Sequence, residues 1–220
     1  MSSRIILACA LLIVLGFSLM SCGKAEGSGA LFDPIVPYNG DINLNGRRCE
    51  VSDAVMFTNY FLCGTDAFYD HVDSSTAASD VNCNGIPLEL ADLYYMIQVM
   101  VGDALPPYNL QPTRNQLVIS AAIYSNRISL AYNCPEDIGA VYLRFLITGE
   151  FEIPSHPRFS VSSNRIGDTL HVLIINNGDE YLQSGRHDML DFGCTGTAEL
   201  IGAEASNTEG VNIPVVIRQF

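Results

Sequence analysis

The sequence predicts a multidomain protein: a small all-α loop-helix pair followed by an all-β antiparallel sandwich. Three observations carry this. Residues 40 to 62 and 79 to 101 repeat one another at an offset of 39 residues. From Asn115 onwards, short apolar or alternating runs are separated by Asn, Gly, Asp and Pro turns, without helical stretches. Pro106, Pro107 and Pro112 mark the junction between the two textures.

The N-terminus comes first in the chain and stands apart from both modules. Arg4 precedes an apolar run from Ile5 to Met20 that is short for a spanning helix, and Ser21 and Cys22 follow it. Residues 1–21 are therefore expected to be a signal peptide. The tetrapeptide LMSC resembles a bacterial lipobox, which implies lipidation of Cys22, although Met20 stands where a small or β-branched residue is usual. Plain secretion is the other reading of the same residues. Residues 22–37 read as a tether, rich in Gly, Ser and Ala and closed by Pro34 and Pro37. The protein is expected to be exported, to the outer membrane or cell surface, touching the membrane only through its lipid anchor.

Charge narrows the partners. The chain holds 24 acidic and 11 basic residues, a net charge of −13, and Lys24 is its one lysine. No basic stripe exists to neutralise phosphates, so nucleic acid is excluded as an expected partner. The acids are denser in the first module, with 10 between residues 38 and 106 against 12 between 113 and 220. Cations are the expected ligands of that segment, and a solvated acidic face is the plainer alternative.

The repeat gives the cation a place. Asp41/Asp80, Asn43/Asn82, Asn45/Asn84, Gly46/Gly85, Glu50/Glu89 and Asp53/Asp92 match across the two copies. Calcium takes roughly six to eight oxygens, and alternate residues of a tight loop can turn three side-chain oxygens inward while glycine permits the bend. The main-chain carbonyls of Arg47 and Ile86 supply a further candidate ligand in each loop. Asp53 and Asp92 close the loops at the start of an apolar segment, where an acid also suits a helix N-terminus. The same residues could instead make surface Asx turns, since Asp, Asn and Gly favour turns for backbone reasons. Repetition in one register favours two Ca2+ sites. After each loop, apolar residues at near-helical spacing predict a short helix ending near Gly64 and Gly102, with Tyr60, Phe61, Tyr94 and Tyr95 as core candidates.

Loop plus helix, twice, over residues 39 to 105 and with no helix before the first loop, resembles a dockerin, the calcium-binding module that attaches bacterial extracellular proteins to cohesin domains. The family's loop has twelve positions with ligands at the first, third, fifth and twelfth. Both loops here carry one additional residue before the closing Asp. The resemblance implies a cohesin-type domain as partner and a non-catalytic role in calcium-dependent attachment, as part of a polysaccharide-degrading assembly. In dockerins the two residues before the closing Asp contribute to partner choice, which transfers to Val51 and Ser52 in one copy and Leu90 and Ala91 in the other. Their near symmetry implies two binding orientations.

In the second module, expected at residues 113–220, strands are predicted at 117 to 123, 127 to 132, 140 to 148, 169 to 176, 189 to 193, 198 to 205 and 211 to 218. Seven or eight strands in this length argue for a sandwich, and their order resembles a shortened cohesin. His156, His171 and His187 are scattered and lack a nucleophile or a paired histidine, so no catalysis is expected. Asp188 with Asp191, or Asp179 with Glu180, form no distinctive carboxylate pair. Absence of tryptophan weakens, without removing, a carbohydrate-binding reading. The alternative function is a surface adhesin or carbohydrate-binding lipoprotein in which calcium is only structural. Cys134 and Cys194 form the one cysteine pair confined to the sandwich, with a disulfide and two free thiols both open.

Overall fold

A computed structural model of the chain describes residues 38–105, 113–154, 159–176 and 182–220. The signal peptide, the tether, Cys22, His156, Asp179 and Glu180 lie outside the described residues. The chain divides into two compact units between Leu110 and Gln111.

In the first unit, a loop from Asp41 leads into helix α1 (Val51–Cys63), followed by a 3-10 turn (Gly64–Phe68). A short helix α2 (Val72–Ala78) precedes the second loop, which leads into α3 (Leu90–Val101). The expected helices are therefore joined by further helical structure that sequence reading left out. Its sequence, VDSSTAA, is too short and polar to show an apolar period. Gly64 and Gly102 stop α1 and α3 as expected, both at positive φ, where a side chain would be strained. Phe57, Phe61, Leu93 and Met96 are buried, and α1 and α3 touch one another. Phe61, Tyr94 and Tyr95 are buried as core candidates should be, while Tyr60 is half-buried and stacks on Phe68 at 5.5 Å.

Among the described residues the second unit holds nine strands: β1 (Leu117–Ile123), β2 (Arg127–Cys134), β3 (Ile138–Ile147), β4 (Phe151–Glu152), β5 (Phe159–Ile166), β6 (Thr169–Asn176), β7 (Gly185–Cys194), β8 (Ala198–Asn207) and β9 (Val215–Gln219). They form a five-stranded sheet in the order β4-β7-β2-β1-β9 and a four-stranded sheet in the order β5-β6-β3-β8. Inward residues of the two sheets, among them Ile119, Leu130, Val141, Leu143, Phe145, Val172 and Phe192, make one apolar core. This is a β-sandwich, with one correction to the antiparallel expectation: β1 and β9 run parallel. The predicted strand at 211 to 218 is also shorter. Pro214 lacks an N–H, so pairing resumes only at Val215.

β5 is the largest strand that sequence reading missed. Its run FSVSSNRI is mostly polar, and it is held at a sheet edge through eight cross-strand pairs with β6. Cys134 and Cys194 are both free. The reason is register: Cys134 pairs with Gly185 at one end of the β2–β7 ladder, whereas Gly193, beside Cys194, pairs with Arg127 at the other. About seven residues of strand, roughly 23 Å, separate them, far beyond disulfide reach. Among the described residues no helix is long and apolar enough to cross a membrane.

Candidate metal centre

The two loops share a backbone, position by position. Positive φ occurs at Leu44 and Cys83, at Gly46 and Gly85, and at Cys49 and Leu88, each pair 39 residues apart. Four of these are not glycine, and each costs about 1 kcal/mol in the left-handed region. Such strain persists only where surrounding bonds hold the chain in place. Here the bonds come from the aspartates.

Asp41 accepts the Asn45 N–H on Oδ1 and the Gly46 N–H on Oδ2, both at 2.9 Å. Asp53, at the third position of α1, accepts the Asn43 N–H at 3.0 Å and the Glu50 N–H at 2.9 Å. The second loop repeats this: Asp92 accepts the N–H groups of Asn82 at 3.1 Å and Glu89 at 3.3 Å. Asp80 accepts the Gly85 N–H at 3.1 Å, and its Oδ1 is buried with no hydrogen-bond partner. Asp41, Asp53 and Asp92 are 0 % exposed. Burial pushes the Asp92 carboxyl up to about 8, and the negative charges of Asp80 and Glu89 add to it. Asp53 is raised mainly by burial too, with a smaller contribution from Asp41.

No ion pair among the described residues reaches these four aspartates. Arg47, the nearest basic residue in the loop sequence, pairs instead with Glu50 at 3.5 Å. Two acids in each loop are thus drawn together without a protein cation, which costs free energy unless a bound cation supplies the charge. The orphaned Asp80 oxygen points the same way. No group of three His, Cys, Asp or Glu side chains gathers among the described residues. Each loop sequence carries two aspartates with asparagine and main-chain oxygens, residue types that suit calcium rather than zinc.

The asparagines make Asx turns as well. Asn43 Oδ1 accepts the Asn45 N–H and Asn45 Oδ1 accepts the Arg47 N–H, at 3.0 and 2.9 Å; Asn82 and Asn84 do the same for Asn84 and Ile86, at 3.0 and 2.8 Å. The expected turns are therefore present in both loops. Sequence reading missed the role of the glutamates: Glu50 and Glu89 are the N-caps of α1 and α3, in reciprocal capping boxes with Asp53 and Asp92. The spacing E-x-x-D before an apolar run was the available signal.

The loops are also tied to each other. The Gly40 N–H donates to the Ala78 carbonyl at 2.7 Å, and Asn39 Nδ2 donates to the Asp80 carbonyl at 2.6 Å. Ser75 Oγ donates to the Ile42 carbonyl at 2.8 Å, so α2 braces the first loop. Of the residues expected to choose a partner, Val51 and Ser52 are exposed, whereas Leu90 and Ala91 are each 1 % exposed. The near symmetry of the two pairs in sequence does not extend to their accessibility. Ser52 Oγ also accepts a bond from Asn43 Nδ2 at 2.6 Å, which Ala91 cannot copy.

In the sandwich the two described histidines lie on different sheets, His171 on β6 and His187 on β7. His171 is bonded through Nδ1 to the Tyr142 hydroxyl at 2.6 Å, and His187 Nε2 meets the Ser184 carbonyl at 3.2 Å.

No protein-family model matches the chain, and no curated protein matches it. Among solved structures, it is similar to a non-cellulosomal cohesin from the archaeon Archaeoglobus fulgidus, at 12% identity over 48% of this chain and 86% of that one, with a TM-score of 0.35. It is also similar to a type II cohesin module of the adaptor scaffoldin ScaA of Acetivibrio cellulolyticus, at 8% identity over 48% and 92%, with a TM-score of 0.31. A third, an exo-β-N-acetylglucosaminidase from Vibrio harveyi, is 15% identical over 48% of this chain and 18% of its own, with a TM-score of 0.27. Likeness at this level assigns the chain to no family.

Proposed function

We propose that residues 38–106 form a calcium-dependent attachment module, carried with a β-sandwich by an exported protein anchored through lipid on Cys22. The observation that carries this reading is the repeated pairing of acids, buried Asp41 with buried Asp53 and half-buried Asp80, its Oδ1 buried and unpartnered, with buried Asp92, without a basic partner among the described residues. Calcium held by these aspartates, with Asn43, Asn45, Asn82, Asn84 and the carbonyls of Arg47 and Ile86, offsets their repulsion and orders each loop against the helix that follows. The partner is a cohesin-type domain, as the dockerin-like spacing implies, and the protein is not an enzyme. Chelation should therefore lower helical circular dichroism and the melting temperature, and Asp41→Ala with Asp80→Ala should mimic it. An unchanged melt with and without calcium would sink the metal reading, and failure to capture any cohesin domain in calcium would sink the attachment reading.

A second reading is favoured by the burial of Leu90 and Ala91. In it, calcium is structural only, and the sandwich does the binding as an adhesin or carbohydrate-binding module.

A further inference from the structure

The outer face of the five-stranded sheet carries an open cleft of about 630 Å³, lined among others by Tyr124, Asn126, Arg127, Glu152, Asp191 and Gly193. Its floor follows from register. Arg127 on β2 pairs with Gly193 on β7, and Gly193 pairs in turn with Glu152 on β4. These three outward positions lie in one row, with the residue that lacks a side chain in the middle. Two strand spacings place the Arg127 and Glu152 backbones about 10 Å apart across that gap.

The walls do not close on each other. The Arg127 guanidinium lies over the Tyr124 ring, 5.2 Å from its centroid. No hydrogen bond or ion pair of the described residues engages the side chains of Arg127, Glu152 or Asp191, although all three line the same cleft. A guanidinium can only donate hydrogen bonds and an ionised carboxylate can only accept them. One small ligand that answers both must donate and accept at closely spaced points. Hydroxyl groups do this without charge. An anionic ligand would meet Glu152 and Asp191, and a cationic one would meet Arg127.

Resting on the second reading above, in which the sandwich binds carbohydrate, we propose that this cleft binds a neutral oligosaccharide, with hydroxyls donating to Glu152 and Asp191 and accepting from Arg127, over the floor left open by Gly193. The site lies wholly within the sandwich and does not depend on the calcium reading. Gly193 provides a clean test, because it does not sit at positive φ and an added Cβ meets nothing within 4 Å. The full-length protein would be applied to an array of neutral, acidic and aminated oligosaccharides, and the strongest neutral binder titrated by calorimetry. Gly193→Val and Arg127→Ala should each weaken that binding by about tenfold or more, whereas Asn133→Ala, exposed at the far end of β2, should leave it unchanged. The melting temperature of Gly193→Val should match that of the parent, so that loss of binding reports the cleft. Absence of any neutral glycan binding overturns the proposal, as does binding confined to acidic or aminated glycans. Binding that survives both cleft substitutions places the sugar elsewhere and overturns it equally.

Discussion

Asn84 Nδ2 donates to Glu89 Oε2 at 2.8 Å, and in the first copy Asn45 Nδ2 donates to Glu50 Oε2 at 3.2 Å. The bond fixes which end of each amide faces the glutamate, so the carbonyl oxygen of the asparagine is turned back into the loop. The thirteen-residue spacing of these loops places a helix-capping acid where it can orient a loop amide.

Substituting the glutamate should therefore affect ion binding and helix capping together. Glu89→Ala is expected to weaken calcium binding at the second loop by about three- to tenfold and to cost about 1 kcal/mol in apo stability through loss of the cap. Glu89→Gln, which keeps an acceptor oxygen, should recover part of the affinity. Calorimetric titration of both variants, with chemical denaturation in chelator, separates the two effects. Equal affinity in all three proteins would show that Glu89 does not position Asn84.

The exposed pair beside the first loop is the accessible part of the expected attachment surface. Val51→Asp with Ser52→Asp should weaken capture of a cohesin domain by about tenfold or more while leaving calcium affinity within about threefold. The same change at Leu90 and Ala91 should instead lower the melting temperature, because both side chains are buried. Pull-down and thermal melts on the two double variants test this. If charging the exposed pair leaves capture intact with calcium bound, the attachment surface is elsewhere.

The two sandwich cysteines should behave as separate, protected thiols. Burial raises both, so the reactive thiolate is scarce near neutral pH. In the native protein Cys134 and Cys194 should resist a thiol reagent at pH 7, and under denaturant both should be alkylated without prior reduction. Peptide mass spectrometry reads this directly. A peptide pair joined through Cys134 and Cys194 would contradict the β2–β7 register.

One end of the sandwich depends on a close backbone crossing. Gly149 and Gly196 both lie at positive φ, and a Cβ on Gly149 would collide with the Thr195 carbonyl oxygen. The Thr148 N–H donates to the Thr197 carbonyl at 2.9 Å and the Thr195 N–H to the Glu150 carbonyl at 2.8 Å, which locks the crossing. Gly149→Ala should destabilise the sandwich by about 2–4 kcal/mol. Gly167→Ala, also at positive φ but with open space around its Cβ, should cost about 1 kcal/mol. Denaturant melts of the two variants give the contrast.

The loops, their glycines, the helix stops and most strands were legible because each rests on neighbours close in sequence. Asp41 bonds to residues four and five positions ahead, and Asp53 to residues three and ten behind, so a local pattern carries the whole loop. Alternating apolar residues in β2 likewise announce a half-buried pleat, and the near-continuous apolar run of β6 announces a buried strand. What tertiary structure alone decided is non-local. β5 is a strand because β6 offers it a partner, and β9 runs parallel to β1 because the sheet is completed by a segment nearly a hundred residues away. The separation of Cys134 from Cys194, the unequal exposure of Val51 and Leu90, and the row formed by Arg127, Gly193 and Glu152 follow from strand register and packing. Local periodicity says which face a residue occupies, whereas only pairing between distant strands says which residue stands beside it.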